Sequence, residues 1–388
     1  MTRPACPADN QQAIEQGSFW DGSNVNWDAH RIGWAIAGGC TALTVILSAV
    51  TVIQHCRNYR NRAEQRQILR ILYMPPVYAI VSFLSYRFFR SYTYYSLVEV
   101  AYEAVTLSAF LLLLIEYVAT TAHGHAAENA ISRKDKRPLP IPFCFWRYRP
   151  TKAYFMYTVK WSVLQYVVVR PAVSVAGIIC EYYGVLCPSG PYSIYYAEVY
   201  LEAVDFVSIT VALYGLLIFY GLTHDELAGR RPLAKFLAIK LIVMFTFYAG
   251  CQFSALEGRV IKATQYWTET NIADGLTALT ICIEMVFFAL FMMWAYTWQD
   301  YTAKDGAGHT SIWRPLWDSI NYSDFVTEIF GSLKFYIDYA LGKPGTHGVR
   351  QTDAQGNPKP SFGEAFGFEY SYNARSAAAP APLAALGH

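Results

Sequence analysis

Seven apolar stretches, each of the length a helix needs to cross a bilayer, run through most of the sequence: 32–54, 71–89, 95–118, 156–180, 195–222, 232–256 and 272–298. A spanning helix takes roughly 20 mostly apolar residues. Backbone groups inside hydrocarbon have no water to bond, so stretches of this kind close their hydrogen bonds internally as helices. The fold class is therefore an all-α membrane protein with seven transmembrane helices. A length of 388 residues would otherwise suit two or three soluble domains, but 54% of the residues are hydrophobic and only 15% are charged. Soluble domains carry about 25% charged residues. Four regions follow: a tail over 1–31, the helical domain over 32–298, an amphipathic, interfacial segment over 299–342, and a Gly-, Pro- and Ala-rich stretch over 343–388 that reads as disordered.

Basic residues orient the helices. The first, third and fifth connections hold 15 Lys and Arg (Arg57, Arg60, Arg62, Arg66 and Arg70; Arg133, Lys134, Lys136, Arg137, Arg147, Arg149 and Lys152; Arg230, Arg231 and Lys235). The tail and the alternate connections hold six (Arg3, Arg31, Arg87, Arg90, Arg259 and Lys262). By the positive-inside rule the odd connections are cytosolic, the N-terminus faces outward or into a lumen, and the C-terminal region is cytosolic. Aromatic residues such as Trp34, Tyr94, Tyr95, Tyr195, Trp294 and Trp298 fall at span ends, where an interfacial belt belongs.

Charges inside the spans are the second signal. An ionisable group there costs at least ~2.5–3.5 kcal/mol unless it faces the bundle interior, a partner or water. Glu99 and Glu103 are four apart on span three, while Glu198, Glu202 and Asp205 form an i, i+4, i+7 stripe on span five. Arg170, about 20 Å along span four from its cytosolic start, is the expected counter-ion for both stripes, with Pro171 bending the helix beside it. Lys240 and Glu284 are expected to pair, or to share a polar cavity, nearer the cytosol. These eight residues (Glu99, Glu103, Arg170, Glu198, Glu202, Asp205, Lys240 and Glu284) are the candidate substrate site. A static charge network that fixes helix register is the alternative. Lys160, near an interface, is expected to snorkel toward water. Pro75-Pro76 is expected to kink span two about one turn from its cytosolic end, either shaping packing or freeing carbonyls for a ligand.

Catalytic motifs for hydrolysis or phosphate binding are absent from the sequence, and no enzyme activity, cofactor or nucleic-acid partner is expected. His123 and His125, with Glu128 nearby, lack a third metal ligand in register. Cys180 and Cys187 bracket an outward connection and form either a disulfide or isolated thiols. Cys144, among basic and aromatic residues before span four, is a candidate S-acylation site or a free thiol.

Several segments resemble one family: Arg66-Gln-Ile-Leu-Arg-Ile-Leu-Tyr-Met-Pro-Pro-Val-Tyr-Ala-Ile80, Tyr102-Glu-Ala104, Leu164-Gln-Tyr-Val-Val-Val-Arg-Pro171, Lys235-Phe-Leu-Ala-Ile-Lys240 and Ile281-Cys-Ile-Glu-Met285. The chain is similar, over about residues 31–300, to the organic solute transporter alpha / transmembrane protein 184 family, in its fungal, vacuolar branch. The resemblance implies a seven-helix transporter-like protein that moves amphipathic organic or sterol-like solutes among membrane lipids, as a homodimer or with a small single-span subunit. Glu103, Arg170, Lys235, Lys240 and Glu284 occupy the family's polar motif positions. The animal branch carries a cysteine-rich acylated stretch where this chain offers only Cys144, so a bile-acid-type solute does not follow. The alternative is a non-transporting vacuolar-membrane scaffold. In that reading Trp317, Asp318 and Ile320 match an aromatic-x-x-aliphatic pattern that docks on a ubiquitin-like autophagy modifier, with Asp318 meeting a basic rim.

Overall fold

The computed structural model describes residues 20–21, 24–25, 29–88, 92–121, 137–138, 147–148, 153–186, 194–223, 231–256, 260–262, 269–302 and 310–341. Ten α-helices run through the described residues: α1 (Ala29–Arg57), α2 (Arg62–Leu72), α3 (Met74–Arg87), α4 (Tyr92–Thr121), α5 (Ala153–Tyr182), α6 (Ala197–Thr223), α7 (Pro232–Leu256), α8 (Glu269–Ala295), α9 (Trp313–Ile320) and α10 (Ser323–Ala340). Seven segments are long and apolar enough to span a membrane, with α2 and α3 together making the second. Cys144, Cys187, His123, His125, Glu128 and the stretch after residue 341 lie outside the described residues. Cys180 is a free thiol.

The chain divides into two compact units. One comprises residues 1–114, 163–212 and 229–322; the other comprises 115–162, 213–228 and 323–388. In the first unit α1, α3 and α8 pack on one another, and α7 packs on α8. Small residues permit the close approach. Ala37, Ala79 and Ala273 are buried, and a side chain at Gly33 would overlap the Tyr86 hydroxyl. Lipid tails are as apolar as leucine, so span packing relies on such close contact and on interhelical hydrogen bonds. Thr41 Oγ1 donates to Ala79 O at 3.1 Å, Tyr86 OH donates to His30 O at 3.1 Å, and the His30 and Tyr86 rings stack. The opposite face of α1 exposes Ile32, Ile36, Leu43, Ile46, Val50 and Ile53, a helical-period apolar stripe suited to lipid.

The second span breaks beside Pro75-Pro76 as expected, but it begins earlier than its apolar stretch. Its helix breaks at Tyr73, about three turns after it starts at Arg62 rather than one turn from its end. Pro75 and Pro76 then sit in the first turn of α3, where a missing N–H costs nothing. The break shapes packing: Tyr73 OH meets Ser319 Oγ at 2.9 Å and Tyr102 OH donates to Arg70 O at 2.8 Å. Polar residues of α2 are buried rather than solvated. Tyr301 OH donates to Glu64 Oε2 at 2.8 Å, and Gln65 Oε1 accepts from the backbone N–H groups of Arg60 and Asn61 at 2.7 and 3.0 Å, closing the turn between α1 and α2. In the second unit, Lys160 is 4% exposed, so it packs inside and does not snorkel.

Candidate functional site

Four charged side chains on four different spans come together in the first unit. Arg170 on α5 and Asp205 on α6 meet at 2.5 Å between Nη1 and Oδ1, and Lys240 on α7 stands 3.7 Å from Glu103 Oε1 on α4. The side chains are 16% exposed for Arg170 and Asp205, 19% for Lys240 and 8% for Glu103. Arg170 and Asp205 also lie within electrostatic reach of Glu103, which joins the two pairs into one cluster. Tyr166, one turn before Arg170, is fully buried and lies within reach of Glu103, Arg170 and Asp205. Tyr78 on α3 is buried beside Glu103, Glu99, Tyr166 and Arg170.

Hydrogen bonding in the cluster is incomplete. Among the described residues Glu103 Oε1, Arg170 Nε, Tyr166 OH and Asp205 Oδ1 are buried and make no hydrogen bond. For Asp205 Oδ1 this stands beside its close contact with Arg170, which is an ion pair without hydrogen-bond alignment. Buried polar groups are almost always bonded, and those that are not mark functional or hydrated places.

The remaining candidate residues are placed differently from the sequence reading. Among the described residues Arg170 pairs directly with Asp205 alone. Glu99 is a turn away from Glu103 and accepts from Ser82 Oγ at 2.5 Å. Glu202 is exposed on α6, and Glu198 has Glu202 and Glu181 as its electrostatic neighbours, so the N-terminal part of that stripe lies outside the cluster. The expected Lys240–Glu284 pair does not form. Lys240 turns to Glu103, while Glu284 is half-buried with an unbonded Oε2. Lys235 is buried, with its ammonium over the Tyr296 ring at 5.6 Å. A groove of about 520 Å³ runs between α5 and α6, lined by Gln165, Val169, Val204, Val207, Ser208 and Val211 among others. None of the clustered charges lines it, so it is an apolar surface and not the polar cavity expected.

The tail segment holds a second polar centre. Arg70 is fully buried and donates from Nε to Ser319 O at 3.0 Å, from Nη1 to Gln67 Oε1 at 2.9 Å and from Nη2 to Asn321 O at 2.6 Å. Its guanidinium also covers the Tyr322 ring at 4.9 Å. Asp318, assigned from sequence to a partner's basic rim, is instead 6% exposed and paired with Arg62 at 2.6 Å. Burial, with Asp318 close by, raises the phenol pKa of neighbouring Tyr59. Trp313, Trp317 and Ile320 stand exposed on the opposite face of α9. Sequence reasoning did not single out Arg70 as an anchor, because it reads as one more basic residue of a cytosolic connection.

These features define a multi-pass helical membrane protein with a charge-paired site inside its spans. Its sequence matches the family described as organic solute transporter Ostalpha over residues 33–301, and the chain belongs to that family. It is also 28% identical over 273 residues to a transmembrane protein 184 homolog of Dictyostelium discoideum. That match covers 69% of this chain and 53% of the relative, so the chain spans about half the length of that curated relative. No solved structure matches.

Proposed function

We propose that this protein facilitates the movement of amphipathic organic or lipid-like solutes across a membrane, with Glu103, Tyr166, Arg170, Asp205 and Lys240 as the solute site. The observation that carries this reading is the cluster itself: four charges from four spans, gathered around buried polar atoms that bond to nothing among the described residues. Charges that served only to fix helix register would be expected to satisfy one another with aligned hydrogen bonds, as Arg62 and Asp318 do at 2.6 Å. Membership of the Ostalpha family supports a transporter and not an enzyme. The distribution of basic residues supports an outward N-terminus and a cytosolic C-terminus, and the motifs at 66–80 and 164–171, which resemble the family's fungal branch, favour the vacuolar membrane.

Uptake of a labelled sterol into proteoliposomes tests the reading. Wild type is expected to exceed empty vesicles, and Arg170→Ala is expected to lose most of the difference. Flux at the empty-vesicle level for both would overturn it.

A second reading, recruitment of a partner through the tail, is favoured by the exposure of Trp317 and Ile320. A ubiquitin-like modifier is poorly served, however. Strand-type docking needs open backbone donors, whereas these residues are helical and Asp318 is engaged by Arg62.

A further inference from the structure

We infer that the intramembrane site takes the hydroxyl end of an uncharged amphiphile in preference to an organic anion. This rests on the proposed solute site and names the chemistry of its occupant.

Charge balance is the first support. Glu103 and Asp205 oppose Arg170 and Lys240, so the four charges cancel. Glu99, one turn from Glu103 and also buried, adds only an acid to the neighbourhood. An anion entering this place gives up its hydration and meets no net positive charge to replace it. An uncharged headgroup avoids that cost.

Hydrogen-bond chemistry is the second support. Lys240 Nζ stands 3.7 Å from Glu103 Oε1, beyond the ~2.7–3.2 Å of a direct N–H···O bond. One oxygen can reach both atoms across that gap. A hydroxyl accepts from the ammonium and donates to the carboxylate, using both functions of one group. A sulfate or carboxylate offers acceptors only, so Glu103 Oε1, 94% buried as a residue, would stay unbonded and face a like charge. The hydroxyl oxygen keeps one further lone pair for a donor of the same cluster, where Tyr166 OH and Arg170 Nε are without hydrogen bonds among the described residues. Arg170 and Asp205 are already in close contact, so the looser Lys240–Glu103 pair is the one that opens.

The test is binding of tritiated cholesterol to the purified full chain, competed by unlabelled cholesterol, oleyl alcohol and cholesterol sulfate. Saturable binding is expected, with the sulfate competing at least about tenfold more weakly than the free hydroxyl. Competition by oleyl alcohol supports recognition of the hydroxyl alone, and its failure supports recognition of the hydroxyl with the ring body. Glu103→Gln keeps the shape and removes one negative charge from the site, so the sulfate should become about as good a competitor as cholesterol. Equal or stronger competition by the sulfate in wild type overturns the inference while leaving the solute site standing. Absence of saturable binding by any of the three in wild type overturns both. The wild-type ratio decides the matter even if the variant fails to fold.

Discussion

Arg70 holds α9 against α2, and the strength of that hold is measurable. Replacing it with methionine keeps most of the apolar stem and removes three charge-assisted hydrogen bonds, to Ser319 O, Gln67 Oε1 and Asn321 O. Hydrogen bonds to a charged group contribute about 1.5–3 kcal/mol each. Asn321 is exposed, so its carbonyl can turn to water and that bond counts for less. The bond to Ser319 O is buried and its carbonyl is left stranded, whereas the bond to Gln67 Oε1 lies within α2 and does not hold α9. A loss of about 3 kcal/mol follows, which is roughly a 150-fold increase in the population with α9 released. Amide hydrogen exchange of a peptide covering 313–322, on the full chain in detergent, reads that population directly. Arg62→Ala should loosen the same helix less, because Arg62 is 57% exposed and water can replace it beside Asp318. Exchange in Arg70→Met within about threefold of wild type, less than ~0.7 kcal/mol, would show that α9 is held by something else.

Arg170→Ala should lower stability by ~3–5 kcal/mol, since it strands a buried carboxylate on Asp205. Arg170→Met combined with Asp205→Leu should recover most of that loss in a detergent thermal-unfolding assay, and a double variant no better than the single one would refute the pairing. Gly215→Ala should cost about 1–3 kcal/mol by overpacking, because the new methyl would overlap Ser162 and lie 3.3 Å from Val159 O. An unchanged unfolding midpoint for that variant would mean the two helices do not meet there. Replacing Trp313 and Trp317 with phenylalanine should remove emission that brominated-chain lipids quench, because an exposed Trp–Trp–Ile face on a helix docked beside a span suits the bilayer interface. Emission lost from an iodide-quenchable fraction instead would place that face in water.

Depth was legible in the sequence and rotation was not. Hydropathy located all seven spans, and counting at about 1.5 Å per residue brought Arg170 to the level of Asp205. Which way each side chain points around its axis was harder to read. A helix buried in lipid on one side and in protein on the other is apolar all round, so its buried face leaves little pattern. Lys240 was therefore assigned to Glu284 on a neighbouring span at similar depth, when its side chain turns to Glu103. The docking of α9 was hidden for another reason. Arg62 and Arg70 lie some 250 residues before their partners in the tail, and nothing local distinguishes an arginine that will bond two tail carbonyls from one that faces water. One signal was available: α2 places Glu64, Gln67 and Arg70 at helical spacing beside its apolar residues, and polar groups on the face that continues into a span need partners from elsewhere in the chain.

The two charged pairs of the site differ in a way that bears on the proposed function. A tight pair such as Arg170–Asp205 resists separation, because either partner left alone in hydrocarbon is costly. It is suited to tying spans four and five together, and the fold should tolerate its removal as a pair. The Lys240–Glu103 pair is attracted but unbonded, with its ammonium 19% exposed and its carboxylate almost closed off. A gap of that size lets a third group enter without first breaking a hydrogen bond, so the free-energy cost of admitting a solute falls on desolvating the solute. Stability and solute selectivity should therefore separate by pair: changes at Arg170 and Asp205 should act chiefly on the unfolding midpoint, and conservative changes at Glu103 chiefly on the preference between hydroxyl and sulfate.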